Sequence, residues 1–302
     1  MPFRITSIIV ATDLSDSAHQ VLRTAAELAA LTEADLHVVH AAEFDDDEER
    51  SMQAARDALR EQVRGVITDA VVASYHVASG RSHEVVLERA AQVEADLIVI
   101  GPHRERPLGD RVLGSTADRL VRTSSVPCLI VHAPFALPLG CMLVPTGLGE
   151  FAWGALDEAL IWGAALRHPT RSGEHTRLVV MHVLPPAAED GPVVGERVHA
   201  EHQLEQQVAA AQDRMGGVVP LRVTQLVVRG RETADENLLT AREHCADLIV
   251  LGTHGHSGLA RALIGSVSSA VARRAECPVL LVPPALSKAR QELEGALAQP
   301  TA

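Results

Sequence analysis

Short apolar runs of four to seven residues alternate along the chain with longer stretches whose apolar positions recur every three or four residues. The short runs have the length and β-branched content of buried strands, and the longer stretches have the period of amphipathic helices. Ile8-Ile9-Val10-Ala11 predicts a first strand. Thr12-Asp13-Leu14-Ser15 turns out of it, with Ser15 as the expected N-cap of a helix that places Val21, Leu22, Ala25, Leu28 and Ala29 on one face. Leu36 to Ala41 predicts a second strand, and the acidic run Asp45 to Glu49 opens a polar helix reaching about Thr68. Acids suit the positive end of a helix, whereas consecutive acids do not converge on one metal ion. Val71 to Val77, Asp96 to Ile100 and Val126 to Val131 predict three further strands. Helices are expected from Ser82 to near Glu94, with Ser82 as cap, and from Gly114-Ser115 onward.

Residues 132–140, with Pro134 and Pro138, read as a linker, and then the order begins again. Met142 to Pro145, Leu178 to Val183, Leu221 to Val228, Asp247 to Leu251 and Pro278 to Val282 repeat the five strands. Phe151 to Leu166, Glu196 to Met215 and Ser266 to Arg274 repeat helices, and a Pro-rich loop covers Pro185 to Gly195. Asp247 to Gly252, Gly265-Ser266 and Pro278 each lie 151 positions after Asp96 to Gly101, Gly114-Ser115 and Pro127. One register held over three separated landmarks is a duplication. The expected domains are residues 1–134 and 139–285, followed by a tail, 286–302, read as a short exposed helix ending in disorder. Strands alternating with helices predict an α/β fold, each half a parallel sheet with helices on both faces. Such sheets take ligands beyond the strand C-termini, where the winding reverses. If the first and fourth strands are neighbours, Asp13 and the Gly101 loop flank that crevice in the first half, and Gly147 and the Gly252 loop flank it in the second.

The glycines of that second crevice are the chain's most informative stretch. Gly252-Thr253-His254-Gly255 follows an apolar strand, and Gly265-Ser266 opens the next helix. Glycines admit a phosphate close to the backbone, and the first N–H groups of a helix point at its charge. Ser266 and Ser268 are candidates to cap those N–H groups or to touch the phosphate. No Gly-Lys-Ser/Thr follows, so this is not the Walker pattern, nor is it the dinucleotide fingerprint of a first strand. A lone glycine turn would be as ordinary as a ligand loop, and the altered second copy in the first half is what favours the ligand.

Composition narrows the partners. The 302 residues carry a net charge of −12, which disfavours nonspecific binding to nucleic acid or to an anionic membrane. Aromatic residues are only 2%, leaving few stacking platforms for bases. The N-terminal residues lack a signal-peptide run, no segment has the roughly 20 apolar residues of a bilayer span, and a cytoplasmic location is expected. Cys128, Cys141, Cys245 and Cys277 show no metal or disulfide spacing and read as reduced, small apolar residues.

With these features the chain resembles the universal stress protein family in a tandem two-domain form, over residues 5–133 and 140–284. The glycine signature of the family's nucleotide-binding members runs Gly, two residues, Gly, nine residues, Gly-Ser/Thr. Gly252, Gly255, Gly265 and Ser266 match it in full, and the Asp-Leu-Ile-Val and Cys-Pro-Val-Leu-Leu-Val runs are similar as well. The resemblance implies five parallel strands per domain in the order 3-2-1-4-5, the adenine-nucleotide alpha-hydrolase-like arrangement. It implies ATP or another adenine nucleotide at the crevice, with or without Mg²⁺, and pairing of domains through their last strands. That pairing would make a pseudo-dimer within one chain, open to further homodimerisation. Residues matching the family's nucleotide contacts are Pro145, Thr146, Val183, Leu251, Gly252, Gly255, Gly265, Ser266, Val267 and Ser268. For the apolar members, ordinary core is an equal reading. Thr12, Asp13, Gly101, Gly114 and Ser115 are the weaker first-half candidates.

The halves depart from the pattern in complementary ways. The first keeps Asp13, which in binding members of the family helps hold adenine, but has Arg104 at the second loop glycine. Arg104 either closes that site or offers a cation, and the cost of a positive φ for arginine favours closure. The second half keeps its loop but has Gly147 in place of the acid, so it is expected to be the better nucleotide site. His254 and His256 lack zincin spacing and read as loop structure or phosphate contacts, and His199 and His202 read as a solvated helix face. No nucleophile elbow, Walker lysine or second acidic metal ligand is found, so a catalytic residue is not expected. The expected function is nucleotide-dependent regulation in a stress response through an unknown protein partner. The alternatives are an interaction protein with degraded sites and a weak ATPase.

Overall fold

The structure, a computed structural model, describes residues 5–42, 48–67, 71–102, 113–135, 137–149, 153–166, 176–187, 193–217, 221–253, 264–284 and 286. Two compact units divide the chain, one formed mainly by residues 1–135 and the other mainly by residues 136–271. Arg104, Gly255, His254, His256, most of the acidic run and the tail beyond Leu286 lie outside the described residues.

The first half runs β1 (Ser7–Ala11), α1 (Ala18–Thr32), β2 (Asp35–Ala42), α2 (Glu48–Val63), β3 (Ala73–Ser79), α3 (Ser82–Gln92), β4 (Leu97–Ile100), α4 (Ser115–Thr123) and β5 (Cys128–Ile130). The second runs β6 (Cys141–Pro145), α5 (Trp153–Ala165), β7 (Arg177–Leu184), α6 (Val193–Arg214), β8 (Arg222–Arg229), α7 (Thr233–Glu243), β9 (Leu248–Gly252), α8 (Ser266–Arg274) and β10 (Val279–Val282). Strand order is β3-β2-β1-β4-β5 in the first half and β8-β7-β6-β9-β10 in the second, as expected. β1 pairs in parallel with β2 and β4, and β6 with β7 and β9. The central strands are sealed from water, as their unbroken apolar runs demand: Ile8, Ile9 and Val10 of β1 and Met142, Leu143 and Val144 of β6 are each 0% exposed.

The repeated Asp-Leu-Ile-Val runs have a structural cause. α3 and α7 each end without glycine, by a left-handed residue, Glu94 (φ 48°) and Cys245 (φ 50°). Ala95 N then donates to Ala90 O at 2.9 Å and Ala246 N to Ala241 O at 2.8 Å, closing the same helix-ending turn twice. Each turn delivers the next aspartate to the start of the central strand. Asp96 Oδ2 accepts from Thr6 N (2.7 Å), Thr6 Oγ1 (2.8 Å) and Ser7 N (3.1 Å). Asp247 Oδ2 accepts from Gly140 N and Cys141 N, both at 2.8 Å. A charged acceptor here satisfies strand-edge N–H groups that have no ladder partner.

Two expected caps are corrected. Ser15 is not the N-cap of α1: that position is Ser17, which makes no side-chain cap bond. Ser15 instead donates from N (3.0 Å) and Oγ to Asp13 Oδ1, because an aspartate two residues earlier captures both groups in a tight turn. Ser82 is the first residue of α3, and Arg81 holds the cap position. The cysteines divide. Cys128 and Cys141 are buried, and burial pushes the Cys128 thiol up to about 12, so it stays a neutral packing group. Cys245, by contrast, is exposed, because it occupies the left-handed turn after α7.

A pH dependence arises in the first half. His37 of β2 and His76 of β3 both lie below the ordinary histidine value of 6.5, mainly through burial and next through the Arg89 guanidinium. Asp35 and Glu88 oppose the shift. His37 Nδ1 also sits 2.6 Å from Ser74 Oγ. Folded pKa values below the unfolded one mean that the unfolded chain binds more protons as pH falls through the histidine range. Stability is therefore complete above about pH 6.5 and declines below it. Thermal unfolding of the first half should show a midpoint that drops between pH 7 and pH 5, and His37→Gln with His76→Gln should flatten that slope. An unchanged slope in the double variant refutes the assignment.

Candidate functional site

β6 is flanked by β7 on one side and β9 on the other, so the chain reverses its winding beside the C-terminal end of β6. This is the crevice where an open α/β sheet takes a ligand. Pro145 ends β6 half-buried, and Thr146 behind it is buried. Gly252 ends β9 beyond the buried Leu251, and Gly265 and Ser266 open α8. The structure joins these last two pieces. Ser268 Oγ donates to Gly252 O at 2.7 Å, and Gly265 N donates to Thr253 O at 2.7 Å. Ser268 thus ties the helix start to the strand end instead of capping α8. Its residue is buried, while Ser266 is exposed and Gly265 and Val267 are half-exposed. The N–H groups of the first turn of α8 lie beside the strand end that the glycines keep bare.

Electrostatics separate the halves. The first turn of α8 carries no acid, and its basic residues, Arg273 and Arg274, are in the last turn. The first turn of α4, at the matching place in the first half, carries Asp118, whose carboxylate lies 2.7 Å from Arg122 Nε. Among the described residues, the first turn of α8 offers a phosphate its positive end without a carboxylate, whereas the first turn of α4 also carries Asp118, paired with Arg122. Gly114 is the buried N-cap of α4, with φ −60° and ψ 154°, and Ser115 is its first residue. Gly101 follows β4, where an added Cβ would lie 3.1 Å from Val21 Cγ2. Asp13 is exposed, with one carboxylate oxygen engaged by Ser15.

The end of the first strand is held by groups that the sequence did not single out. In the first half Thr12 N donates to Val39 O at 3.0 Å and Thr12 Oγ1 donates to Gln62 Oε1 at 2.7 Å. His40 Nδ1 lies 2.9 Å from Thr12 O. In the second half Thr146 N donates to Met181 O at 2.8 Å, Thr146 Oγ1 to Gln207 Oε1 at 3.2 Å, and His182 Nδ1 lies 2.9 Å from Thr146 O. A carbonyl can only accept, so Nδ1 of both imidazoles carries the proton. Val183, next to His182 in β7, is half-buried and in register with Val228. The histidines left a trace in the sequence, as both end Val-Val-His and Val-Met-His runs at the same place in the repeat. The glutamines left none, since they sit in long polar helices among many similar residues.

Other predicted features resolve simply. His199 and His202 are exposed on α6, with His202 Nε2 3.0 Å from Gln206 Nε2, a solvated face. Among the described residues no group of three His, Cys, Asp or Glu could hold a metal ion, and no helix is long and apolar enough to cross a membrane.

Comparison with known proteins adds to this picture. The sequence profile described as "Universal stress protein family" matches residues 4–132 and again 142–283. A universal stress protein of Mycobacterium tuberculosis is 27% identical over 292 residues, covering 91% of this chain and 95% of its own. Another from the same species is 29% identical over 196 residues, a match spanning 62% of this chain and 62% of that relative. In fold, the chain is similar to crystal structures of a Pseudomonas aeruginosa protein and of a universal stress protein from Archaeoglobus fulgidus. The first has 20% identity, a TM-score of 0.68 and coverage of 97% of this chain and 98% of that one. The second has 18% identity, a TM-score of 0.68 and coverage of 93% and 100%.

Proposed function

Since the chain belongs to the universal stress protein family, as a tandem of two family domains, we propose that it is a nucleotide-binding regulator of a stress response. The ligand is ATP or another adenine nucleotide, held by the second half. The observation that carries this reading is the junction of β9 and α8. There Ser268 and Gly265 bind the helix start to the strand end, and no acid occupies the first turn. The N–H groups of Ser266 and Val267 hold the phosphates, with Gly252 and Gly255 leaving the backbone bare for their approach. Pro145, Thr146, Val183 and Leu251 form the floor for the nucleoside. The chain contributes binding and orientation, and none of its residues is assigned a proton transfer. A Mg²⁺ ion, where present, reaches the site with the phosphates.

The first half is the poorer site. Asp118 opposes phosphate at α4, and Asp13 has one oxygen engaged by its own turn. Occupancy of the second half orders its glycine loop and presents a surface to a protein partner. Mass spectrometry of small molecules released from freshly purified, denatured protein should find about one adenine nucleotide per chain. Two per chain would refute the ranking of the halves. None, with no binding of added ATP in equilibrium dialysis, would refute nucleotide binding itself.

A further inference from the structure

We propose that Cys141 and Cys245 form a disulfide when the chain meets a peroxide, which makes them a reversible oxidation site of the second half. The two halves share the backbone frame around these positions. Asp96 N donates to Ser7 O and Asp247 N to Cys141 O, each at 2.8 Å. In return each aspartate carboxylate accepts from the N–H of that same residue. Ser7 therefore matches Cys141. Glu94 and Cys245, each two residues before its aspartate, hold the same left-handed turn at φ 48° and φ 50°. In the first half the pair is a serine and a glutamate, which have no redox chemistry. In the second half both positions are cysteines.

The side chain at the first of these positions points to the turn. Ser7 Oγ donates to Val93 O at 3.1 Å, the carbonyl joined directly to Glu94. Cys141 is turned the same way. Its neighbour Met142 points at α5, where a Cβ on Gly163 would lie 2.8 Å from Met142 Cε, and successive strand residues alternate between faces. Cys141 thus lies on the other face of β6, where α7 packs, and the end of α7 leads into Cys245. Arg177 Nη2 donates to His244 O at 2.8 Å, the carbonyl joined to Cys245 as that of Val93 is to Glu94. The charges report the same proximity: burial raises the Cys141 thiol, the Arg177 guanidinium opposes this, and Asp247 and Cys245 add to the rise. Burial also separates the roles. Cys245 is exposed and meets the oxidant, while Cys141 is buried behind it as a neutral thiol. Cys245 loses its proton and its sulfur attacks a peroxide oxygen. The O–O bond breaks, hydroxide leaves and takes up that proton as water, and Cys245 becomes a sulfenic acid. Cys141 Sγ then attacks Cys245 Sγ. The S–O bond breaks, the hydroxyl leaves with the Cys141 proton as a second water, and the S–S bond forms. Two thiols are oxidised and one peroxide is reduced to two waters. The bridge joins the start of β6 to the end of α7, at the end of the sheet away from the crevice, and a thiol reductant reverses it.

In the test the full chain is treated with hydrogen peroxide, its remaining thiols are alkylated, and the digest is read by mass spectrometry. Peptides carrying Cys141 and Cys245 should appear joined, with Cys128 and Cys277 alkylated, and dithiothreitol added before alkylation should separate them. A bridge across a loop of about 100 residues restrains the unfolded chain, so the oxidised protein should melt about 5 °C or more above the reduced one. Cys141→Ser and Cys245→Ser should each abolish both the joined peptides and that rise. Cys141→Ser places the first half's own residue at the matching position, and circular dichroism checks that both variants are folded. Oxidation of the chain unfolded in urea should scatter bridges over all four cysteines, because only the fold selects this pair. Cys245 recovered as a sulfinic acid beside an alkylated Cys141 overturns the inference, as does a bridge to Cys128 or Cys277, or one between two chains. An oxidised wild type that melts no higher than the reduced one overturns it as well. Each readout is independent of nucleotide binding, so failure here leaves the proposed ligand untouched.

Discussion

Gly252→Val combined with Gly265→Val weakens ATP binding by about 100-fold. A valine side chain at either position puts branched carbon where the proposed phosphate contact needs bare backbone, and it displaces the junction of β9 with α8. That junction consists of two hydrogen bonds, Ser268 Oγ to Gly252 O and Gly265 N to Thr253 O, both 2.7 Å. A hydrogen bond to a charged group contributes about 1.5–3 kcal/mol. Losing one or two N–H contacts to phosphate therefore removes about 3 kcal/mol, or two orders of magnitude in Kd. Isothermal titration with ATP measures it, and far-ultraviolet circular dichroism checks that the double variant is folded. A folded double variant with the Kd of wild type would remove the phosphate from this loop.

Asp247→Ala lowers the stability of the second half by about 2–4 kcal/mol, through the two charged hydrogen bonds that it deletes. Its carboxylate is the acceptor for Gly140 N and Cys141 N, at the point where the chain enters β6. Cys141 is 1% exposed, so its N–H finds no easy substitute in water. β6 is the central strand of its half, flanked by β7 and β9, and its fraying loosens both pairings. Urea unfolding should show the loss as a lower midpoint with an unchanged m-value, and Asp247→Asn, which retains one oxygen acceptor, should recover part of it. A midpoint equal to that of wild type would mean that water replaces the carboxylate at no cost. The same aspartate serves the fold and not the ligand loop. The Asp-Leu-Ile-Val run precedes the glycines, but its acid faces the opposite end of the strand and holds the fold.

Much of the architecture was legible in the chain because its causes are local or repeated. Runs such as Ile8 to Ala11 and Asp247 to Leu251 have one stable use, as strands buried on both faces, and the 151-residue offset doubles every such observation. Parallel pairing followed from the helices between strands, and the strand order from the family resemblance. Cap chemistry was less legible. Ser15 and Ser82 have the residue type of caps, but Asp13 captures the first and the helix begins at the second. The role of Ser268 was hidden for a similar reason, because its hydroxyl chose between its own helix and the carbonyl of Gly252 only once β9 lay beside it.

The sequence by itself determined the duplication and the α/β class. Those properties depend on apolar periodicity and spacing, which every segment carries with it. Only the tertiary structure decided what fills the polar contacts around Thr12 and Thr146. Gln62 and Gln207 lie 50 and 61 residues from their threonines, and His40 and His182 lie 28 and 36. Each such contact needs two helices or strands to be docked before it exists.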